Sequence, residues 1–198
     1  EQKKLINVIQ NDVERIDRLI NDISAASRLD SELSRIEMKK INISNLLETL
    51  VDIRSSTVNC KINFLKYFED VSIFGDENKI AQVFDNLIQN AVSFSNEKNI
   101  INIRLEKNLE NVIILVEDNG PGFSSGSLKK VFDRFYTDRP KNEKFGNHSG
   151  LGLSISKQIV LAHGGTIEAL NRFNRKNECV GGCVKVTFQE IRDNIIKQ

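Results

Sequence analysis

Three cysteines in 198 residues are too few, and too irregularly placed, for a disulfide scaffold. Cys179 and Cys183 lack both metal-site spacing and a second ligand pair nearby, so they and Cys60 read as small buried or strand-edge residues. No run of about 18 apolar residues occurs, which excludes a spanning helix within this chain. The first residues carry no signal-peptide pattern either. The residues are therefore expected to be cytoplasmic, without membrane contact of their own. Charge of one sign is also lacking, with 28 basic against 27 acidic side chains. Nucleic-acid or bilayer affinity needs a concentrated positive field, so no nucleic-acid partner is expected. Histidine is scarce: only His148 and His163 occur.

What is present, 39% hydrophobic and 28% charged residues, suits one α/β domain with a helical appendage. The appendage comes first. Ile6, Ile9, Val13, Ile16, Ile20 and Ile23 follow a three-four heptad spacing, the seam of a coiled coil or helix bundle; the alternative is an amphipathic helix lying on the following domain. Asp12, Glu14, Arg15, Asp17 and Arg18 form its solvated face. Periodicity fades after Leu29 through 30–34, which places a linker there and divides the chain into 1–34 and 35–198.

From Lys39 the pattern is mixed. Strands are predicted at 40–43, 60–66, 71–74, 100–106, 111–116, 166–170 and 182–188. A helix capped by Ser44 should run to about Ile53, and one capped by Asp76 should carry the stripe Ile80, Val83, Phe84, Leu87, Ile88, Ala91. A further helix is expected over 151–162, with only a short helix at 128–132 inside the long irregular span up to Ser149.

Four segments carry chemistry. In Val116-Glu117-Asp118-Asn119-Gly120-Pro121-Gly122-Phe123 an apolar strand delivers Asp118 to a pocket floor, where its carboxylate can accept a hydrogen bond from an exocyclic amine such as that of adenine. Gly120 and Gly122 permit positive φ and close approach to the backbone. The same residues are also good hairpin-turn chemistry. Asn86 and Asn90 lie one helical turn apart beside the apolar stripe, and neutral amide oxygens suit Mg²⁺, which takes most of its charge compensation from phosphates. The plainer alternative is two amides solvating a helix edge. Ser149-Gly150-Leu151-Gly152 opens a helix, where N–H groups and the positive helix end can meet an anion. In Val131-Phe132-Asp133-Arg134-Phe135, the two phenylalanines read as anchors and Arg134 as free to reach a triphosphate, or the segment is a short amphipathic helix on the core.

These four boxes, in this order, resemble the ATP-binding domain of sensor histidine kinases of two-component systems. The resemblance covers essentially the whole chain, because the leading helix, ending in Ala26-Ser27-Arg28-Leu29-Asp30, is similar to the second helix of the family's dimerisation hairpin. It implies an α+β fold, a two-layer sandwich of the histidine kinase and chaperone ATPase type with a mixed sheet, preceded by a long dimerisation helix. It also implies ATP and Mg²⁺ as cofactors, Asn90 on the metal, Asp118 on adenine, and a lid over about 123–149. The basic residue that often follows the helix asparagine is Ser93 here, leaving Arg134, Arg139 or Lys141 to supply charge. Phe94 stands where tyrosine is frequent and can still contact adenine, and His148 begins the last box as a candidate phosphate donor. The family's acceptor histidine has no good counterpart, since His163 reads as a helix C-cap. The implied function is transfer of the ATP γ-phosphoryl to a histidine outside this chain, then to a response regulator, within a homodimer; little self-phosphorylation is expected. The alternatives are a nucleotide-binding regulatory module, or another ATPase of the same fold superfamily.

Overall fold

The computed structural model describes residues 31–68, 70–95, 100–137 and 150–191, with positions 6, 9, 10, 13, 16, 17, 20, 23, 24, 27, 28 and 29 of the leading segment. Ten elements follow that segment: β1 (Lys39–Asn42), α1 (Ile43–Ser55), β2 (Lys61–Lys66), β3 (Ser72–Gly75), α2 (Glu77–Phe94), β4 (Ile100–Asn108), β5 (Asn111–Glu117), α3 (Gly152–Ala162), β6 (Thr166–Phe173) and β7 (Cys179–Gln189). Five strands form one sheet in the order β2-β4-β5-β7-β6, and β1 pairs with β3 in a separate two-stranded ribbon. Only β2 and β4 run parallel, so the larger sheet is mixed, as expected.

The register explains which face is buried. Leu105, Ile114, Val186 and Ile167 lie in one cross-strand row, and Ile103, Val116, Val184 and Ala169 in the next. Six of the eight are buried in one core cluster with the α2 stripe, Ile80 to Ala91, and with Ile155, Ile159 and Val160 of α3, and the β6 residues Ile167 and Ala169 pack half-buried against it. Fully burying each large apolar side chain contributes roughly 1.5–3 kcal/mol. The opposite face carries Arg104, Leu115, Lys185 and Glu168 in a row, with a Lys185–Glu168 ion pair at 3.3 Å.

Several local expectations are corrected. Asn42, not Ser44, caps α1: its Oδ1 accepts from the Asn45 N–H at 3.0 Å. Ser44 is buried instead, its hydroxyl accepting from the Val71 N–H. Residues 128–132 are turn rather than helix, because the Ser127 carbonyl takes both the Lys130 and Val131 N–H groups in a single closed turn. β6 and β7 both reach further into their shared hairpin than predicted.

The described residues of the leading segment are helical and remain so through Leu33, beyond the predicted end at Leu29. Leu29 is buried in the core cluster and Leu33 packs against it, while Lys79 bonds Glu32 at 2.5 Å. The seam residues Ile6 to Ile23 are 50–56% exposed, so the domain does not cover them and the reading of a helix lying on it fails. No described helix is long and apolar enough to cross a membrane.

Candidate functional site

β5 ends at Glu117, and Asp118 follows in the sheet's plane, its N–H bonded to the Gly182 carbonyl at 3.1 Å. The Asp118 side chain is buried. Its Oδ1 accepts from the N–H of Gly120 at 2.8 Å and of Gly182 at 3.1 Å. One carboxylate oxygen is thus fixed by the protein. The other, Oδ2, lies 2.8 Å from where a Cβ on Gly182 would stand, so the glycine keeps the space beside it clear. At Gly181, φ is +153° and a Cβ would sit 1.9 Å from the Asp118 carbonyl oxygen. The sequence pattern places Gly182 at the start of a closing strand and Gly181 just outside it; the available signal was the glycine pair at the strand's edge, which marks close backbone approach.

Gly120 and Gly122 also allow close approach, but of the chain to itself. A Cβ on Gly120 would lie 2.7 Å from the Phe94 carbonyl oxygen, so the glycine seats the C-terminal end of α2 on this loop. Gly122 has φ +75°, and its Cβ would meet Cys179 Sγ at 2.5 Å and Asn171 Oδ1 at 2.8 Å. The hairpin reading does not hold, because the loop opens into no adjoining strand over 118–137 and bonds instead to β6 and β7, far along the chain.

α2 carries Asn86, Asn90 and, as its last residue, Phe94, all half-buried. Asn86 Nδ2 donates to the Gly152 carbonyl at 3.4 Å, tying α2 to the start of α3. The Asn90 carbonyl accepts from the Ser93 hydroxyl at 2.7 Å. Asn86 and Phe94 are eight residues apart, about 12 Å along the helix axis, so α2 touches both the Asp118 loop and the α3 N-terminus at a separation on the scale of a nucleotide.

α3 begins at Gly152 behind Leu151, which is fully buried and makes no side-chain cap. Its first N–H groups therefore have no partner from a capping side chain. Gly150 has φ +72°, and its carbonyl accepts from the Phe135 N–H at 3.1 Å. Phe132 is buried, with the Lys157 ammonium 5.8 Å from its ring centroid. Phe135 is the correction: at 58% exposure, and with φ +65°, it is not an anchor. Arg134 is exposed. His148 and Ser149, with Arg139 and Lys141, lie outside the described residues.

His163 is the C-cap of α3. Its Nε2 accepts from the Asp76 N–H at 3.0 Å, which leaves Nδ1 as the donor to the Ile159 carbonyl at 2.7 Å. Both ring nitrogens are occupied, Nδ1 within α3 and Nε2 in tying α3 to the start of α2. Burial, with Glu117 nearby, pushes the Cys183 thiol up to about 12. Among the described residues no cluster of His, Cys, Asp or Glu could by itself hold a metal. A hard cation here would need amide oxygens and ligand phosphates, which is the donor set Asn86 and Asn90 can complete.

Residues 75–194 match the family described as histidine kinase-, DNA gyrase B-, and HSP90-like ATPases, and the chain belongs to that family. Within it, the chain is of the kind found as the ATPase catalytic domain of sensor histidine kinases. It is 48% identical over 180 residues to sensor protein ChvG of Rhizobium meliloti (strain 1021), covering 86% of this chain and 31% of that protein. It is 35% identical over 171 residues to sensor histidine kinase WalK of Bacillus subtilis (strain 168), covering 84% and 28%. Among solved structures, histidine kinase ThkA in complex with response regulator protein TrrA superposes with a TM-score of 0.70 at 26% identity, covering 96% of this chain and 52% of that one. The chain spans about a third of the length of the two sensor proteins.

Proposed function

We propose that this chain binds ATP with Mg²⁺ and presents the γ-phosphoryl group to a histidine outside this chain, from which it passes to an aspartate of a response regulator. The observation that carries this reading is the buried Asp118 carboxylate, one oxygen held by two backbone N–H groups and the other left beside a glycine. Oδ2 accepts from the adenine amine and the Phe94 ring lies beside the base. The N–H groups of Gly150, Leu151 and Gly152 take the phosphates, with Ser149, His148 and Arg134 completing their surroundings, and Gly120 and Gly122 hold the loop close. Asn90 and Asn86 offer amide oxygens to the metal; Asn86 has already spent a donor on Gly152, which leaves its oxygen for that role. Bound Mg²⁺ neutralises phosphate charge. The protein's part in phosphoryl transfer is positioning and charge compensation rather than covalent chemistry.

His163 cannot serve as acceptor while both its nitrogens are engaged. Residues 35–198 act as the catalytic domain. Residues 1–34 belong to a dimerisation helix, whose exposed isoleucine seam is covered by a second copy. The response regulator in the ThkA complex supports a partner of that class, and the chain works as the cytoplasmic portion of a membrane sensor.

Calorimetric titration with ATP, with and without Mg²⁺, tests the reading. Micromolar binding, about −8 kcal/mol, is expected, with loss of the Mg²⁺ dependence in Asn90→Ala. A folded chain that gives no heat with ATP or ADP overturns it.

A further inference from the structure

We infer that Arg172, assisted by Asn171, is a positioning residue for the nucleotide pocket, reaching across a whole strand to fix the loop that carries Asp118. The inference rests on the ATP-binding reading above and extends it to residues of β6 that lie outside the four boxes. β6 is the edge strand, and β7 separates it from β5 and the loop that follows. Even so, Arg172 Nη1 donates to the Asp118 carbonyl at 2.8 Å and to Asn119 Oδ1 at 2.8 Å. Asn171 Oδ1 accepts from the Phe123 N–H at 2.7 Å, while its Nδ2 donates to the Phe123 carbonyl at 2.7 Å. Two consecutive residues thus hold both ends of the 118–123 loop.

The register shows why they can reach. Asn171 pairs with Gly182 and Arg172 with Gly181, so the intervening strand has no side chain at either crossing point. Successive strand residues point to opposite faces, so the loop is held from the core side by Asn171 and from the outer side by Arg172. The arginine is itself fixed: its Nε lies 3.7 Å from Glu117 Oε1, and Arg104 Nη2 bonds the same oxygen at 3.0 Å. Its charge is therefore committed beneath the loop, and it acts on the base through the Asp118 peptide rather than by touching ligand.

The test is the affinity of the full 198-residue chain for ADP and, by competition, GDP, alongside thermal melting, for Arg172→Ala, Arg172→Lys and Asn119→Ala. Losing hydrogen bonds from a charged donor should weaken ADP binding by Arg172→Ala about tenfold. GDP binding should change little, so the preference for adenine narrows, and Arg172→Lys should recover part of the loss. If Arg172→Ala does not fold, Asn119→Ala, which removes one acceptor from an exposed loop position, should weaken ADP about threefold. Unchanged ADP affinity in the folded variants, or parallel loss of ADP and GDP, would overturn the inference and leave ATP binding standing. A wild-type chain that binds no ADP removes the functional reading, and this inference with it.

Discussion

Replacing Asp118 by asparagine and by alanine should separate its two jobs. The carboxylate spends Oδ1 on the protein, accepting from Gly120 and Gly182, and offers Oδ2 to the base. An asparagine side chain there can keep an acceptor oxygen at the Oδ1 place, so both N–H groups stay satisfied, weakened only by the loss of charge. Its amide nitrogen then takes the Oδ2 position and points donors at a donor. Asp118→Asn should therefore lose about 1–2 kcal/mol of folding stability while ADP affinity falls at least about a hundredfold, the worth of a charge-assisted bond plus the cost of facing donors. Asp118→Ala removes both. It strands two N–H groups, one buried and one half-buried, at about 1–3 kcal/mol each, so its loss of stability should reach about 2–6 kcal/mol alongside the loss of binding. Urea melts and ADP calorimetry on the same preparations measure the two quantities. If Asp118→Asn binds ADP within a factor of about three of wild type, the base is not read by this oxygen. If Asp118→Ala is as stable as wild type, the two backbone bonds do not hold the loop.

Gly181→Ala should destabilise the domain by about 2–4 kcal/mol, because its Cβ would lie 1.9 Å from the Asp118 carbonyl oxygen, whereas Gly152→Ala should fold at least as well as wild type, with its nearest neighbour 3.9 Å away at Asn86; chemical denaturation compares them. Native-state alkylation should modify exposed Cys179 long before Cys183, whose thiol burial pushes up to about 12; equal rates would contradict that burial. The bond to Lys79 holds the Glu32 carboxyl below its usual 4.5. A carboxyl lowered in the folded state stabilises above its unfolded value and loses that contribution as pH falls through the lowered one. Amide protection at 27–29 and 31–33 should therefore decline below about pH 4.5 and become insensitive to pH there in Glu32→Gln.

The sheet, the α2 stripe and the position of Asp118 were legible because each rests on local periodicity: alternation in β4 and β5, and three-four spacing from Ile80 to Ala91. The cap at Asn42 was missed because Ser44 and Asn42 are both good capping residues, and the choice is made by Val71, whose N–H claims the serine hydroxyl. Phe135 reads as an anchor from composition, yet its N–H is bound to Gly150 and its backbone is left-handed, which turns the ring outward. Arg172 and Asn171 left no local trace. Their partners lie 48 to 54 residues away, and only the pairing of β6 with β7 brings them near.

The bond from the Phe135 N–H to the Gly150 carbonyl joins two points that stand fifteen residues apart in the chain and makes them a single anchorage. A Cβ on Gly150 would strike the Phe135 carbonyl carbon at 2.8 Å, so only glycine lets the two backbones lie this close. Whatever is inserted or removed between them leaves the anchorage where it is. Doubling the length of such a closed segment adds only about 0.6 kcal/mol of closure entropy. A change of length between these points, short of His148 and Ser149, therefore leaves the start of α3 where it is.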